Sequence, residues 1–221
     1  SKAGRVSRTE PLRREVTIHH LLTHTSGLTY DFLDRERFSR ISLRQFVREI
    51  TAFPLKYQPG TVWHYGASTD VLGGVIEIVS GMPFEKFLEE KIFRPLGMVD
   101  TGFFVPPEKV DRFVTMYTPD DRGNLVPTEF PAHRNYLKPP SFPSGGGGLV
   151  STTCDYLRFA LMLLNGGQLN GTRILSRKSV ELMCRDHLPA GHPPLDVNNR
   201  GFGVGVSVVR HLAETKMLAS A

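Results

Sequence analysis

The strip from Gln58 to Gly73, QPGTVWHYGASTDVLG, puts an aromatic-rich turn directly before a helical pattern. Tyr65 falls on the loop entering that helix. Loops carried by a rigid scaffold are common places for catalytic groups. A phenol accepts a proton near neutral pH only where cations lower its pKa from about 10. A lysine is the natural supporter, and none in the chain is obviously placed for it. A tyrosine near Trp63 also fits a packed aromatic with one hydrogen bond. Read locally, the residues leave both roles open.

Other clusters carry weaker chemistry. His20 and His24 stand four apart and could share a helix face, with His19 beside them. The strip His20-Leu-Leu-Thr-His24 lacks the glutamate of a zinc-protease motif, and no third ligand is evident. These are read as hydrogen-bonded structural histidines, with no metal and no cofactor implied. Gly145 to Gly148 precedes a helix but lacks the Gly-Lys-Ser/Thr ending of a phosphate loop. Gly201 to Gly205 mimics a dinucleotide fingerprint but runs into a strand pattern. Both glycine runs are read as tight backbone packing. Cys154 and Cys184 sit in helical patterns without ligand spacing, and are expected to be buried free thiols.

The elements that must position these residues are mainly helical. Thr17 can cap a short helix through Thr23. Ser42 and Gln45 form a capping-box pattern before Leu43, Phe46, Val47 and Ile50. A third helix is predicted over Ser68 to Ser80, with Leu72, Val75, Ile76 and Val79 as its apolar stripe and Gly81 at its end. Pro83 suits the first position of a fourth helix, which Pro95 and Gly97 end. A turn is read at Asp120 to Gly123. Thr152 or Thr153 caps a fifth helix with Tyr156, Phe159, Ala160, Leu163 and Leu164 on one face. Asn170-Gly171 signals a hairpin, and Ser176 caps a sixth helix. Phe202, Val204, Val206 and Val208 alternate as one half-buried strand.

The chain has 221 residues, 40% hydrophobic and 22% charged, as ordinary globular proteins do. No stretch approaches the roughly 20 apolar residues of a membrane span. Net charge is +5, but the lysines and arginines are interleaved with acids, so neither nucleic acid nor membrane is an expected partner. Ser1 to Arg14 is basic and lacks the apolar region of a signal peptide. The cytoplasm is favoured over the periplasm, and the oligomeric state is open.

Several segments together resemble the β-lactamase-related serine hydrolases. Leu21 to Leu28 reads LLTHTSGL. Pro59-Gly60-Thr61 is followed by Tyr65 and by Val71-Leu72-Gly73. Pro95-Leu96-Gly97-Met98 is followed by Asp100-Thr101. Gly147-Gly148-Leu149-Val150-Ser151-Thr152 is followed by Asp155. They occur in family order, and the resemblance covers most of the chain from His20 to Val209. The resemblance implies an α+β fold of the β-lactamase/transpeptidase type, with a helical lobe packed on an antiparallel-sheet α/β lobe and a cleft between them. It implies a single domain over 1–221, mostly helical lobe and loops from about 17 to 185, with a first sheet strand at about 200–210. It also implies acyl transfer through the serine of an S-x-x-K motif, with the lysine and a tyrosine sharing the serine's proton. Tyr65 matches that tyrosine. Trp63, His64, Gly66 and Ala67 are the matching candidates for the substrate cleft. The substrate is expected to be a small ester or amide.

The chain departs from the family pattern in three ways. No S-x-x-K occurs in it, because neither Ser26 nor Ser144, nor any other serine, has a lysine three residues on. The late K-T-G motif, or its H-x-G and W-G-G equivalents, is absent. Both gaps fit a piece of a longer enzyme, incomplete at both ends, and predict that the piece alone is inactive. Lactamases and peptidases read Tyr-x-Asn, whereas this chain reads Tyr65-Gly66-Ala67. A carboxylesterase on small acyl esters is therefore expected. The alternatives are a β-lactamase or D-amino-acid peptidase, or a non-catalytic scaffold that keeps the fold.

Overall fold

The computed structural model describes residues 8–129, 135–193, 195 and 199–210. The start of the basic N-terminal segment lies outside the described residues.

Local capping chemistry sets the first helices. In α1 (Ile18–Leu22) the Thr17 hydroxyl accepts the His20 N–H, and His20 Nδ1 accepts the Thr17 N–H, which closes a capping box. Asp34 takes the N–H groups of Glu36 and Arg37, both at 3.1 Å, and starts the short α2 (Arg35–Phe38). Ser42 caps α3 (Leu43–Ile50) by accepting the Gln45 N–H. The reciprocal half of that box does not form, because the Gln45 amide turns to Glu49 at 2.9 Å.

Helix α4 (Ser68–Ser80) has the predicted bounds, with Gly81 left-handed at φ 69°. Its buried face is not the predicted stripe. Ser68, Asp70, Gly73, Gly74 and Glu77 are buried, Leu72, Val75 and Ile76 are half-buried, and Val79 is 82% exposed. Close approach to α3 explains the shift. A Cβ at Gly74 would stand 2.3 Å from Val47 Cγ2, and one at Gly73 would stand 3.1 Å from Leu43 Cδ2. Glycines let the helices meet, and the apolar residues flank the contact. Around it lies a core of Phe38, Leu43, Phe46, Ile50, Ala67, Phe84 and Phe103.

The fourth predicted helix comes in three pieces: α5 (Phe84–Leu88), a π-helical turn at Glu89–Phe93, and α6 (Arg94–Leu96). Pro83 occupies the N-cap, one residue before its predicted place. Pro95 accounts for the widened turn, since it lacks an N–H and its ring would crowd the Lys91 carbonyl of a regular helix.

Helix α7 (Thr153–Leu164) is capped by Thr152. Its rotation differs from the predicted stripe, for Asp155 and Met162 are buried while Tyr156 and Leu164 face outward. The Asp155 carboxylate fixes that rotation by accepting the Asp100 N–H at 2.7 Å and the Thr101 hydroxyl at 2.9 Å. Met162 packs with Phe93, Leu96 and Met98 in a second core. Helix α8 (Arg177–Met183) follows its Ser176 cap.

The strands form antiparallel pairs. β1 (Met116–Pro119) pairs with β2 (Leu125–Thr128) around the predicted turn. β3 (Gln168–Leu169) pairs with β4 (Thr172–Arg173) through Asn170 and Gly171, both with positive φ. The expected single strand through Val208 is instead two, β5 (Arg200–Phe202) and β6 (Ser207–Val209), joined by a turn in which the Gly203 N–H donates to the Val206 carbonyl at 2.7 Å. Gly205, at φ 75°, permits that turn. The cysteines correct a further expectation. Cys154 and Cys184 are both free but exposed, one on the outer side of α7 and the other at the C-cap of α8. No helix among the described residues is long and apolar enough to cross a membrane.

Candidate active site

Two backbone strips set the position of Tyr65. The strip through residues 56–66 runs beside residues 24–29. The Lys56 N–H donates to the Gly27 carbonyl, Gly60 to Thr25 and His64 to His24, each at 2.8 Å. Gly66 lies so close that a Cβ there would stand 2.1 Å from the Leu28 carbonyl oxygen. Below this contact the Ser26 and Ser68 hydroxyls meet at 2.8 Å, both fully buried. Ser26 is therefore structural.

Tyr65 emerges from this frame with 55% of its surface exposed. Its ring lies 4.9 Å from the His24 ring, 6.1 Å from Tyr30 and 6.5 Å from Trp63. The hydroxyl has no hydrogen-bond partner among the described residues. It borders a cleft of about 630 Å³ whose walls include Tyr30, Asp70, Phe142, Ser144 and Gly146.

Asp70, in the first turn of α4, organises one wall. Its carboxylate accepts the Ser144 hydroxyl at 2.5 Å, the Gly146 N–H at 3.2 Å and the Tyr30 hydroxyl at 3.2 Å. A Cβ at Gly145 would stand 2.0 Å from the Thr69 carbonyl oxygen, so the glycine run serves close backbone packing as expected. Tyr30 and Asp70 were not singled out from the sequence. Their only signal was an acid in a helix's first turn, and nothing in the chain announces its partner 74 residues away.

The remaining predicted cleft residues lie elsewhere. The Trp63 indole packs against Phe202 at 5.5 Å, and its backbone N–H donates to His192 Nε2. His64 turns to the Thr29 hydroxyl at 3.1 Å. Burial, with Lys56 nearby, holds its imidazole below the ordinary range. Ala67 belongs to the core and is fully buried. Its small side chain packs beneath the strip. Of the five predicted residues, Tyr65 lines the cleft.

His24 is buried with a left-handed φ of 53°. Burial, then His64, pushes its imidazole down to about 4, so it stays neutral near pH 7. Its Nδ1 and the Trp63 Nε1 are buried without hydrogen-bond partners among the described residues. His20 completes the α1 cap, and His19 Nε2 meets His187 Nδ1 at 3.2 Å. Among the described residues no three His, Cys, Asp or Glu side chains gather as a metal site.

Residues 7–212 match the family model described as Beta-lactamase. The chain belongs to the beta-lactamase family. This beta-lactamase-family chain is 38% identical over 231 residues to Protein Rv1367c of Mycobacterium tuberculosis (strain ATCC 25618 / H37Rv), with 98% of the chain and 57% of that protein covered. It is 37% identical over 175 residues to Esterase EstB of Burkholderia gladioli, with 67% of the chain and 44% of EstB covered. The structure of EstCE1, described as a hydrolase with promiscuous acyltransferase activity, superposes with a TM-score of 0.73. That match has 27% identity and covers 92% of this chain and 59% of EstCE1. The chain thus spans about half the length of the relatives it matches. Its fold is that of the β-lactamase/transpeptidase type, helices with small antiparallel sheets, in a family of serine hydrolases with esterase relatives.

Proposed function

We propose that this chain carries the cleft and the proton-accepting tyrosine of a serine hydrolase for small acyl esters. One observation carries the reading: the Tyr65 hydroxyl has no hydrogen-bond partner among the described residues and stands at the border of a cleft of about 630 Å³. In the reaction, a serine oxygen attacks the ester carbonyl and its proton passes to a lysine and Tyr65. The tetrahedral oxyanion collapses, and the leaving alcohol takes up a proton. Water then attacks the acyl-serine and regenerates the serine. The serine and lysine belong to an S-x-x-K motif that this chain does not hold. The chain alone is therefore expected to be inactive.

Ala67 favours esters over β-lactams or peptides. Lactamases and peptidases carry an asparagine at the matching place, and the buried Ala67 site has no room for one without shifting the core. The test is Tyr65→Phe in the complete protein, assayed on p-nitrophenyl acetate. Turnover falls by about 10²–10⁴-fold if Tyr65 moves the proton, and near-normal turnover removes it from the mechanism. Faster turnover of a chromogenic cephalosporin than of esters would favour the lactamase alternative. A complete protein with no S-x-x-K and no fluorophosphonate labelling would be a non-catalytic scaffold.

A further inference from the structure

A second cavity, of about 330 Å³, lies behind the cleft. Its interior is apolar, built from Phe93, Val105, Phe113, Pro143 and Val150. Several charges at its rim are held in ion pairs, Asp100 by Lys109 at 2.7 Å and by Arg112 at 2.8 Å, and Lys86 by Glu89 at 3.1 Å. The space suits an uncharged hydrocarbon.

Phe103, Pro139 and Pro140 line both this cavity and the cleft that Tyr65 borders. The two spaces are thus separated by one layer of side chains. The prolines are exposed, whereas Phe103 is buried. Its ring packs on Phe84 at 5.9 Å and meets the Gly148 position at 3.9 Å.

We propose that Phe103 sets acyl-chain length, closing the cleft against an apolar cavity that would otherwise take the distal carbons of a fatty acyl ester. The inference rests on the esterase reading of the cleft. With the phenyl ring in place, an acyl chain has only the cleft side to lie on and gains nothing from the apolar cavity. With a smaller side chain the cavities join, and each further methylene gains apolar contact.

The complete protein and its Phe103→Leu variant are compared on p-nitrophenyl acetate and decanoate. Because Phe103 lies in the core, leucine is used rather than alanine, and a thermal melt confirms folding. The decanoate-to-acetate ratio of kcat/KM is expected to rise by about tenfold or more. Adding Val150→Phe, which refills the rear cavity, should return the ratio toward its starting value. Calorimetric binding of decanoate gives a readout independent of turnover and should tighten by about tenfold in Phe103→Leu. Tightened binding without ester turnover would overturn the esterase reading alone. Ester turnover with an unchanged ratio and unchanged binding would overturn the role of Phe103 alone.

Discussion

The Asp70 carboxylate accepts the Ser144 hydroxyl at 2.5 Å, joining the first turn of α4 to a loop 74 residues further along the chain. The same carboxylate takes the Gly146 N–H and the Tyr30 hydroxyl. Asp70→Ala would remove the acceptor that three donors share and is expected to cost about 2–4 kcal/mol. Urea unfolding measures it. Ser144→Ala removes one of the three and should cost about 1 kcal/mol by the same assay.

Gly145→Ala should be harmful although the residue is small. Its Cβ would meet the Thr69 carbonyl oxygen at 2.0 Å, and main chain cannot swing aside as a side chain can. A loss of roughly 1–3 kcal/mol is expected, with the cleft wall displaced. Gly74→Ala meets a side-chain methyl of Val47 instead, so Val47→Ala should rescue it partly. Gly145→Ala has no such suppressor. Paired denaturation curves separate the two cases.

His24 makes stability depend on pH. Its folded value of about 4 lies below the ordinary 6.5, with burial the larger cause and His64 the smaller. Between those values the unfolded chain binds more protons, so stability rises with pH there. Its contribution is complete above about pH 6.5 and is lost as the pH falls toward 4. The loss is on the order of 3 kcal/mol. His24→Asn keeps a residue that tolerates positive φ and should flatten that part of the profile. An unchanged slope in the variant would assign the dependence to other groups.

Both thiols should react in the native state. Cys154 and Cys184 are free and exposed, so a thiol-specific chromogenic reagent should titrate two groups per chain before and after denaturation alike. Groups that appear only after unfolding would mean buried thiols.

Capping residues and turn glycines were the most legible part of the fold. Thr17, Ser42, Thr152 and Ser176 all cap the helices their positions announced. Helix faces were less legible. In α4 and α7 the inward side is decided by Gly74 and Asp155, whose partners Val47 and Asp100 lie far away in sequence. Apolar periodicity records which residues avoid water, not which backbone comes closest to another. The 202–208 segment failed for a related reason, because alternation persists across a tight hairpin when glycines at 203 and 205 make the turn. At the cleft, Tyr65 was visible as a loop aromatic. The Asp70 to Ser144 tie was not, since each residue is ordinary until the fold brings them together.

The contact between Gly145 and the Thr69 main chain has an evolutionary consequence. Peptide groups are common to every sequence, so a loop seated on them keeps its station while neighbouring side chains drift. New substrate preferences can then arise by replacing the lining at positions such as 30, 103 or 142. The seat of the loop would survive such changes, whereas a replacement at the glycine itself would displace it.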